Sequence, residues 1–259
     1  MRMRVMGAAV VGALALSAFA VPAAQADEVH GDTKISNVVV NGGKAVVVGS
    51  TGTKTIPVSF TVTDNSGVSK AEAILYHGTD LDHSDTGAIA NTSDGSSKCT
   101  KVNATTSTCT ATYTLDTDFN LLNSTAGTWK VAAVGQGKDG NYVVRENAKT
   151  FQVQRASRLS ANASPEPVKK GRTITVTGAL TRANWDAHKY SGYAAQPVKL
   201  QFRKKGSSTY STLKTVKTDS RGNLKTTTKA TADGYYRFVF AGTSTTPAVT
   251  AAGDFIDVK

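Results

Sequence analysis

Strict alternation of apolar and polar side chains over residues 55–63 most constrains what this chain can fold into. The apolar positions are Ile56, Val58, Phe60 and Val62, and Pro, Ser or Thr lies between them. A period of two is typical of a strand with one buried and one solvated face. Residues 64–67 (Asp-Asn-Ser-Gly) then favour a turn. Similar alternation recurs to the C-terminus, so the sequence predicts an all-β protein.

The same period predicts which side chains form the core. These are Ile56, Val58, Phe60, Val62, Trp129 and Val131 in the first half, and Ile174, Val176, Leu200, Phe238 and Phe240 in the second. Asn41-Gly42 between two β-branched runs predicts a hairpin. Residues 78–98 are polar and predict a long loop.

Residues 1–26 have the pattern of a secretory signal peptide. Arg2 and Arg4 precede an apolar run that ends in Ala24-Gln25-Ala26, which predicts cleavage before Asp27. The mature chain is therefore expected to be secreted, extracellular or associated with the cell wall. No second apolar segment follows, so no membrane span is expected.

Charge divides the remaining chain into two halves. Residues 27–155 carry 11 Lys and Arg against 13 Asp and Glu, whereas residues 156–259 carry 17 against 6. Such asymmetry predicts two domains with different partners, 27–155 and 156–259. Cys99 and Cys109 are the two cysteines, and an even pair in an exported chain predicts a disulfide.

Three short stretches carry a resemblance to a known family. Residues 62–68 (Val-Thr-Asp-Asn-Ser-Gly-Val), 127–131 (Gly-Thr-Trp-Lys-Val) and 138–141 (Lys-Asp-Gly-Asn) resemble bacterial extracellular immunoglobulin-like domains. The second half is similar to C-terminal modules of small actinobacterial secreted proteins, some of which are labelled calcium-binding. The resemblance implies two tandem immunoglobulin-like β-sandwiches and a binding or structural role.

Two groups of acidic residues could hold a metal. Asp64 and Asp139 follow strands and could meet at one end of a sandwich, where Asn65 and Asn141 would add oxygen ligands for calcium. Equally, these residues could only close turns.

The other group lies at residues 77–85, where His77 and His83 flank Asp80 and Asp82. It could form a metal-dependent hydrolase site or a solvated loop. No catalytic sequence motif is present, so the sequence predicts no enzyme and no catalytic residue.

The basic half offers a candidate polyanion-binding surface. Its residues are Lys199, Arg203, Lys205, Lys214, Lys217, Lys225 and Lys229. If they share one solvent-exposed face, they would attract anionic envelope polymer or acidic polysaccharide, without specificity for nucleic acid. Lysines on sheet edges also prevent aggregation, so a solubility role stays open. Trp185, Tyr190 and Tyr193 could stack on sugars or plug the end of a sandwich.

Overall fold

The computed structural model describes residues 28–259, so the predicted signal peptide lies outside the described residues. Ten strands form the first part of the chain. They are β1 (Glu28–His30), β2 (Lys34–Val40), β3 (Val46–Val48), β4 (Thr53–Thr63), β5 (Val68–Gly78), β6 (Ser84–Ile89), β7 (Lys98–Lys101), β8 (Thr106–Asp116), β9 (Gly127–Gly137) and β10 (Tyr142–Arg155).

These strands form two facing sheets. One has the order β2-β4-β8-β7, and the other has the order β1-β10-β9-β5-β6 with β3 added in parallel to β10. These orders correspond to the ABED and CFG sheets of an immunoglobulin domain. The side chains that alternate inward from the two sheets form one apolar core around Trp129, which is fully buried. We call residues 28–155 the first sandwich.

Ten further strands follow. They are β11 (Ser157–Leu159), β12 (Asn162–Ser164), β13 (Thr173–Asn184), β14 (Lys189–Gly192), β15 (Pro197–Lys204), β16 (Ser211–Lys217), β17 (Asn223–Lys229), β18 (Gly234–Phe240), β19 (Val249–Thr250) and β20 (Asp254–Ile256).

The later strands form a second sandwich, which we define as residues 157–256. In one sheet, β13 is central and pairs with β11, β12, β14 and β17. The other sheet has the order β16-β15-β18, with β19 and β20 on the far side of β18. A separate core cluster fills the space between them. The all-β, immunoglobulin-like prediction is confirmed, and every side chain predicted for the core is buried.

The hairpin predicted at Asn41-Gly42 is wrong. Residues Asn41–Gly43 form a 3-10 turn, after which β3 joins the other sheet and pairs with β10 instead of β2. The chain crosses from one sheet to the other between β2 and β3. The parallel partner of β3 is distant in sequence, so no local sequence signal indicates this pairing. This turn and Asn123–Thr125 are the helical segments of the described residues, and neither could cross a membrane.

The long loop predicted for residues 78–98 is also wrong. It contains β6, which pairs with the end of β5, and it leads directly into β7. Strand β6 (Ser-Asp-Thr-Gly-Ala-Ile) lies at the edge of its sheet and is mostly exposed. Ala88 is the one buried side chain of this strand. An edge strand that buries so little does not need apolar alternation, so its sequence resembles a loop.

The disulfide between Cys99 and Cys109 is confirmed. The two residues lie directly opposite each other on β7 and β8. The bond therefore joins neighbouring strands of one sheet, whereas the disulfide of antibody domains joins the two sheets.

Contacts between the two sandwiches centre on Trp185, which follows β13. Its ring is fully buried in the core cluster of the first sandwich, and its Nε1 donates to the Gly49 carbonyl at 2.8 Å. The Asn123 side chain accepts from the Trp185 backbone N–H at 3.0 Å and donates to Asp186 at 2.6 Å. That residues 27–155 and 156–259 fold as two independent domains stays a prediction.

Arg155 lies at the same junction and is 7% exposed. Its Nε donates to the Ala183 carbonyl at 2.6 Å. Burial, reinforced by the nearby charge of Arg182, lowers the pKa of Arg155 to about 10. A buried charge that donates to a main-chain carbonyl requires a well-ordered junction, because water cannot replace a lost partner there.

Candidate functional site

A group of carboxylates lies at one end of the first sandwich. One oxygen atom from each of Asp32, Asp64 and Asp139 lies within 4.8 Å of the others. Asp64 directly follows β4, while Asp139 lies in the turn between β9 and β10. The structure thus brings together the two aspartates singled out from the sequence and adds Asp32, which was missed.

Asp64 differs from the other two because its side chain is buried. Its Oδ2 accepts from the Thr33 hydroxyl at 2.6 Å, and its Oδ1 accepts from the Ser66 backbone N–H at 2.8 Å. Burial alone would raise the pKa of Asp64, but the hydrogen bonds from Ser66 and Thr33 outweigh it, so the net shift is downward. The group therefore contains a buried carboxylate that stays ionised near neutral pH.

Close backbone packing shapes this end of the sandwich. A Cβ atom at Gly137 would overlap the Asp64 carboxylate, so only glycine lets β9 pass so near it. The Asn141 side chain donates to Asp139 at 2.9 Å and to Asp32 at 3.4 Å. Asn65 contributes its backbone N–H to Asp32 at 3.3 Å. Asn65 and Asn141 therefore present N–H donors and not the oxygen ligands expected from the sequence. The three carboxylates alone offer oxygen atoms, which suit a hard cation such as calcium better than zinc.

The metal site proposed for residues 77–85 is not assembled. His77 Nδ1 lies 2.7 Å from Asp85, while His83 Nδ1 lies 2.7 Å from Asp80. The hydrogen bond with Asp80 raises the pKa of His83 and lowers that of Asp80. Two separate surface pairs result, and neither these residues nor Asp82 belong to a group of three ligands in residues 28–259.

The seven basic residues do not share one face, so that expectation is wrong. Lys199 and Arg203 lie on the outer face of β15 and Lys217 on that of β16. Lys225 and Lys229 lie on β17 in the opposite sheet. The reason is topological, because the chain crosses between sheets after β16. Lys214 is opposite Leu200 and donates to the Thr227 carbonyl at 2.7 Å, which places it at the sandwich edge.

Arg237 on β18 lies opposite Gln201 and completes a charged surface that the sequence had not singled out. We call Lys199, Arg203, Lys217 and Arg237 the basic face. The sequences of β15, β16 and β18 contain no Asp or Glu. Lys205 lies at the rim, 3.5 Å from the Asp233 carboxylate. Alternation along β18 could have identified Arg237 as outward-facing, but only the register places it beside Arg203.

Aromatic rings lie among these cations. The Arg237 guanidinium carbon lies 3.5 Å from the centroid of the Tyr210 ring, and the Arg203 guanidinium carbon lies 4.2 Å from that of Tyr235. The aromatic residues proposed for sugar stacking are elsewhere. Trp185 is buried, and the faces of Tyr190 and Tyr193 are covered by Arg158 and Arg182.

Comparison with known families gives a match over part of the first sandwich. Residues 40–135 match the model of a family of unknown function, DUF5707. No curated protein matches the sequence.

Several solved structures are similar to this chain at low identity. A DUF4785 family protein from Legionella pneumophila is 14% identical with a TM-score of 0.35, over 80% of this chain and 53% of its own. The chain thus spans about half the length of that protein. The D00-D0 domain of intimin is 15% identical with a TM-score of 0.28, over 86% and 99%. A chimeric titin Z1Z2 is 12% identical with a TM-score of 0.25, over 89% and 98%.

Proposed function

We propose that the protein is an exported, non-catalytic binding module whose second sandwich associates with anionic polymer of the cell envelope. The basic face is the observation that carries this proposal. Four cations project from three neighbouring strands that contain no acidic residue. Repulsion among like charges that lack a counter-charge destabilises the folded state, and a bound polyanion would relieve it.

The two arginines favour this face over the opposite sheet. Lys225 and Lys229 on the opposite sheet are separated by Thr227 and have no arginine beside them on β17. In the described part of the chain, no ion pair engages Lys199, Lys217 or either arginine of the basic face, and the same holds for Lys225 and Lys229. Their charge is therefore available to a partner.

The test compares two faces in the full mature chain. Lys199→Gln with Lys217→Gln should weaken binding to isolated cell wall at low ionic strength, because each removed charge reduces counterion release. The matched control, Lys225→Gln with Lys229→Gln, removes the same charge from the opposite sheet. We expect the affinity for cell wall to fall about tenfold for the first pair and less than about fivefold for the control. Equal losses would mean that net charge, and not the basic face, governs association.

Calcium binding at Asp32, Asp64 and Asp139 is the second candidate function. The buried, ionised Asp64 carboxylate favours it, because a buried charge is normally paired with a cation or metal. Its present partners are the neutral donors of Thr33 and Ser66. The exposed carboxylates of Asp32 and Asp139 lie next to it and complete the acidic group.

Calcium should then raise the melting temperature of the protein, since a ligand that binds only the folded state stabilises it. At a concentration about 100 times the dissociation constant, the stabilisation would be about 2.7 kcal/mol. Asp32→Asn with Asp139→Asn should abolish the shift while keeping Asp64 and its hydrogen bonds. Asp80→Asn with Asp85→Asn is the control, because it removes the same charge from the two separate His–Asp pairs of residues 77–85. A melting temperature insensitive to calcium would exclude this candidate.

A further inference from the structure

The two arginines of the basic face are diagonal neighbours on adjacent strands. Arg203 lies opposite Tyr235, and Arg237 lies opposite Gln201, two positions further along β18. Both guanidinium groups contact the Tyr210 ring, with Arg203 at 5.3 Å and Arg237 at 3.5 Å from its centroid. Two like charges are thus held against one aromatic ring.

Each guanidinium is also fixed by one hydrogen bond to the protein. Arg203 Nη1 donates to the Ser207 carbonyl at 2.6 Å, and Arg237 Nε donates to Gln201 Oε1 at 3.0 Å. An arginine has five N–H donors, so most donors of both groups are left without a partner in the described residues. Stacking on rings restricts their orientation before any ligand arrives, which lowers the entropic cost of binding.

From this geometry we infer that Arg203, Arg237 and Tyr210 form a carboxylate subsite for an acidic polysaccharide of the uronic acid type. The inference rests on the proposed function and names the chemistry of its partner. The guanidinium fork matches a planar carboxylate through two parallel hydrogen bonds. Gln201 and Thr212 lie beside it across β15 and β16, joined by a hydrogen bond of 3.3 Å, and supply neutral groups for sugar hydroxyls.

The spacing of charge also fits a sugar polymer better than a densely charged polyphosphate. Lys199 lies four residues from Arg203 on the same strand, which corresponds to about 13 Å. The residue between them on the outer face is the neutral Gln201. Lys217 lies at the far end of β16, opposite Pro197. Lys199 and Lys217 are thus separated from the Arg203 and Arg237 pair by neutral hydrogen-bonding groups, which suits acidic groups that are separated by sugar rings.

The experiment uses the full mature chain and variants that keep its net charge. Arg203→Lys with Arg237→Lys removes both forks but retains both cations, whereas Lys225→Arg with Lys229→Arg is the control on the opposite sheet. Binding of a galacturonic acid oligosaccharide is measured by calorimetry at low ionic strength, beside inorganic polyphosphate and a neutral glucan oligosaccharide. Melting temperatures verify that each variant is folded.

We expect galacturonate affinity to fall about tenfold in the Arg→Lys pair, which is the loss of about 1.4 kcal/mol from bidentate bonding. The control should stay within about twofold of the original chain, and the neutral glucan should not bind. Unchanged galacturonate affinity in the Arg→Lys pair would overturn the subsite.

Polyphosphate binding as tight as galacturonate, with the same loss, would overturn the choice of partner. After either of these two results, the proposed function would still stand if Lys199→Gln with Lys217→Gln weakened cell-wall binding. Failure of both polyanions to bind the original chain would overturn the subsite and the proposed function together.

Discussion

Replacing Trp185 with alanine is expected to lower the free energy of unfolding by about 3 to 5 kcal/mol. The ring is fully buried, yet it belongs to the second sandwich by sequence and to the core of the first by contact. Truncation leaves a cavity and removes the hydrogen bond from Nε1 to Gly49. Urea unfolding followed by circular dichroism measures the change, and proteolysis at residues 155–157 should accelerate because the junction loses its main apolar contact.

Two controls separate the parts of this effect. Trp185→Phe keeps most of the apolar volume but loses the indole donor, so its cost should be clearly smaller than that of alanine. Phe119→Ala removes an aromatic ring that is 88% exposed, and its cost should be below about 0.5 kcal/mol. A loss below about 1 kcal/mol for Trp185→Ala would mean that the two sandwiches are not held together through this ring.

Sequence periodicity predicted the core well because burial acts locally along each strand. Val58 and Phe60 alternate on β4, and Phe238 and Phe240 alternate on β18, irrespective of which strands lie beside them. A period of two reports which face of a strand is buried. It carries no information about which sheet the strand joins, so the parallel pairing of β3 with β10 was not predictable from it.

The candidate sites show the same limit. Asp64 and Asp139 could be placed in turns from local residues, but Asp32 joins them only because β1 pairs with β10 next to that turn. The turn signal of Gly31-Asp32 was the one local indication. Lys225 alternates outward as predicted, yet lies on the opposite sheet from Lys199. Distances between strands far apart in sequence therefore decide the sites, and one sequence does not provide them.

Removing the disulfide with Cys99→Ala and Cys109→Ala is expected to lower the free energy of unfolding by about 3 kcal/mol. The bond closes a short loop between β7 and β8, which restricts the unfolded chain and so raises its free energy. The melting temperature should fall by roughly 10 °C. Reduction of the original chain by a thiol reagent should have an effect in the same direction, without any change of sequence.

The neighbouring pair Thr100 and Thr108 provides the matched control, because these residues face each other on the same two strands. Thr100→Ala with Thr108→Ala removes a cross-strand contact without opening a covalent loop, so its cost should stay below about 1 kcal/mol. If the disulfide acts through the unfolded state, its removal should also increase the dependence of stability on urea concentration, since the freed chain exposes more surface. An unchanged slope together with a loss below about 1 kcal/mol would show that neither the disulfide nor the fully buried Cys109 side chain is needed to hold β7 against β8.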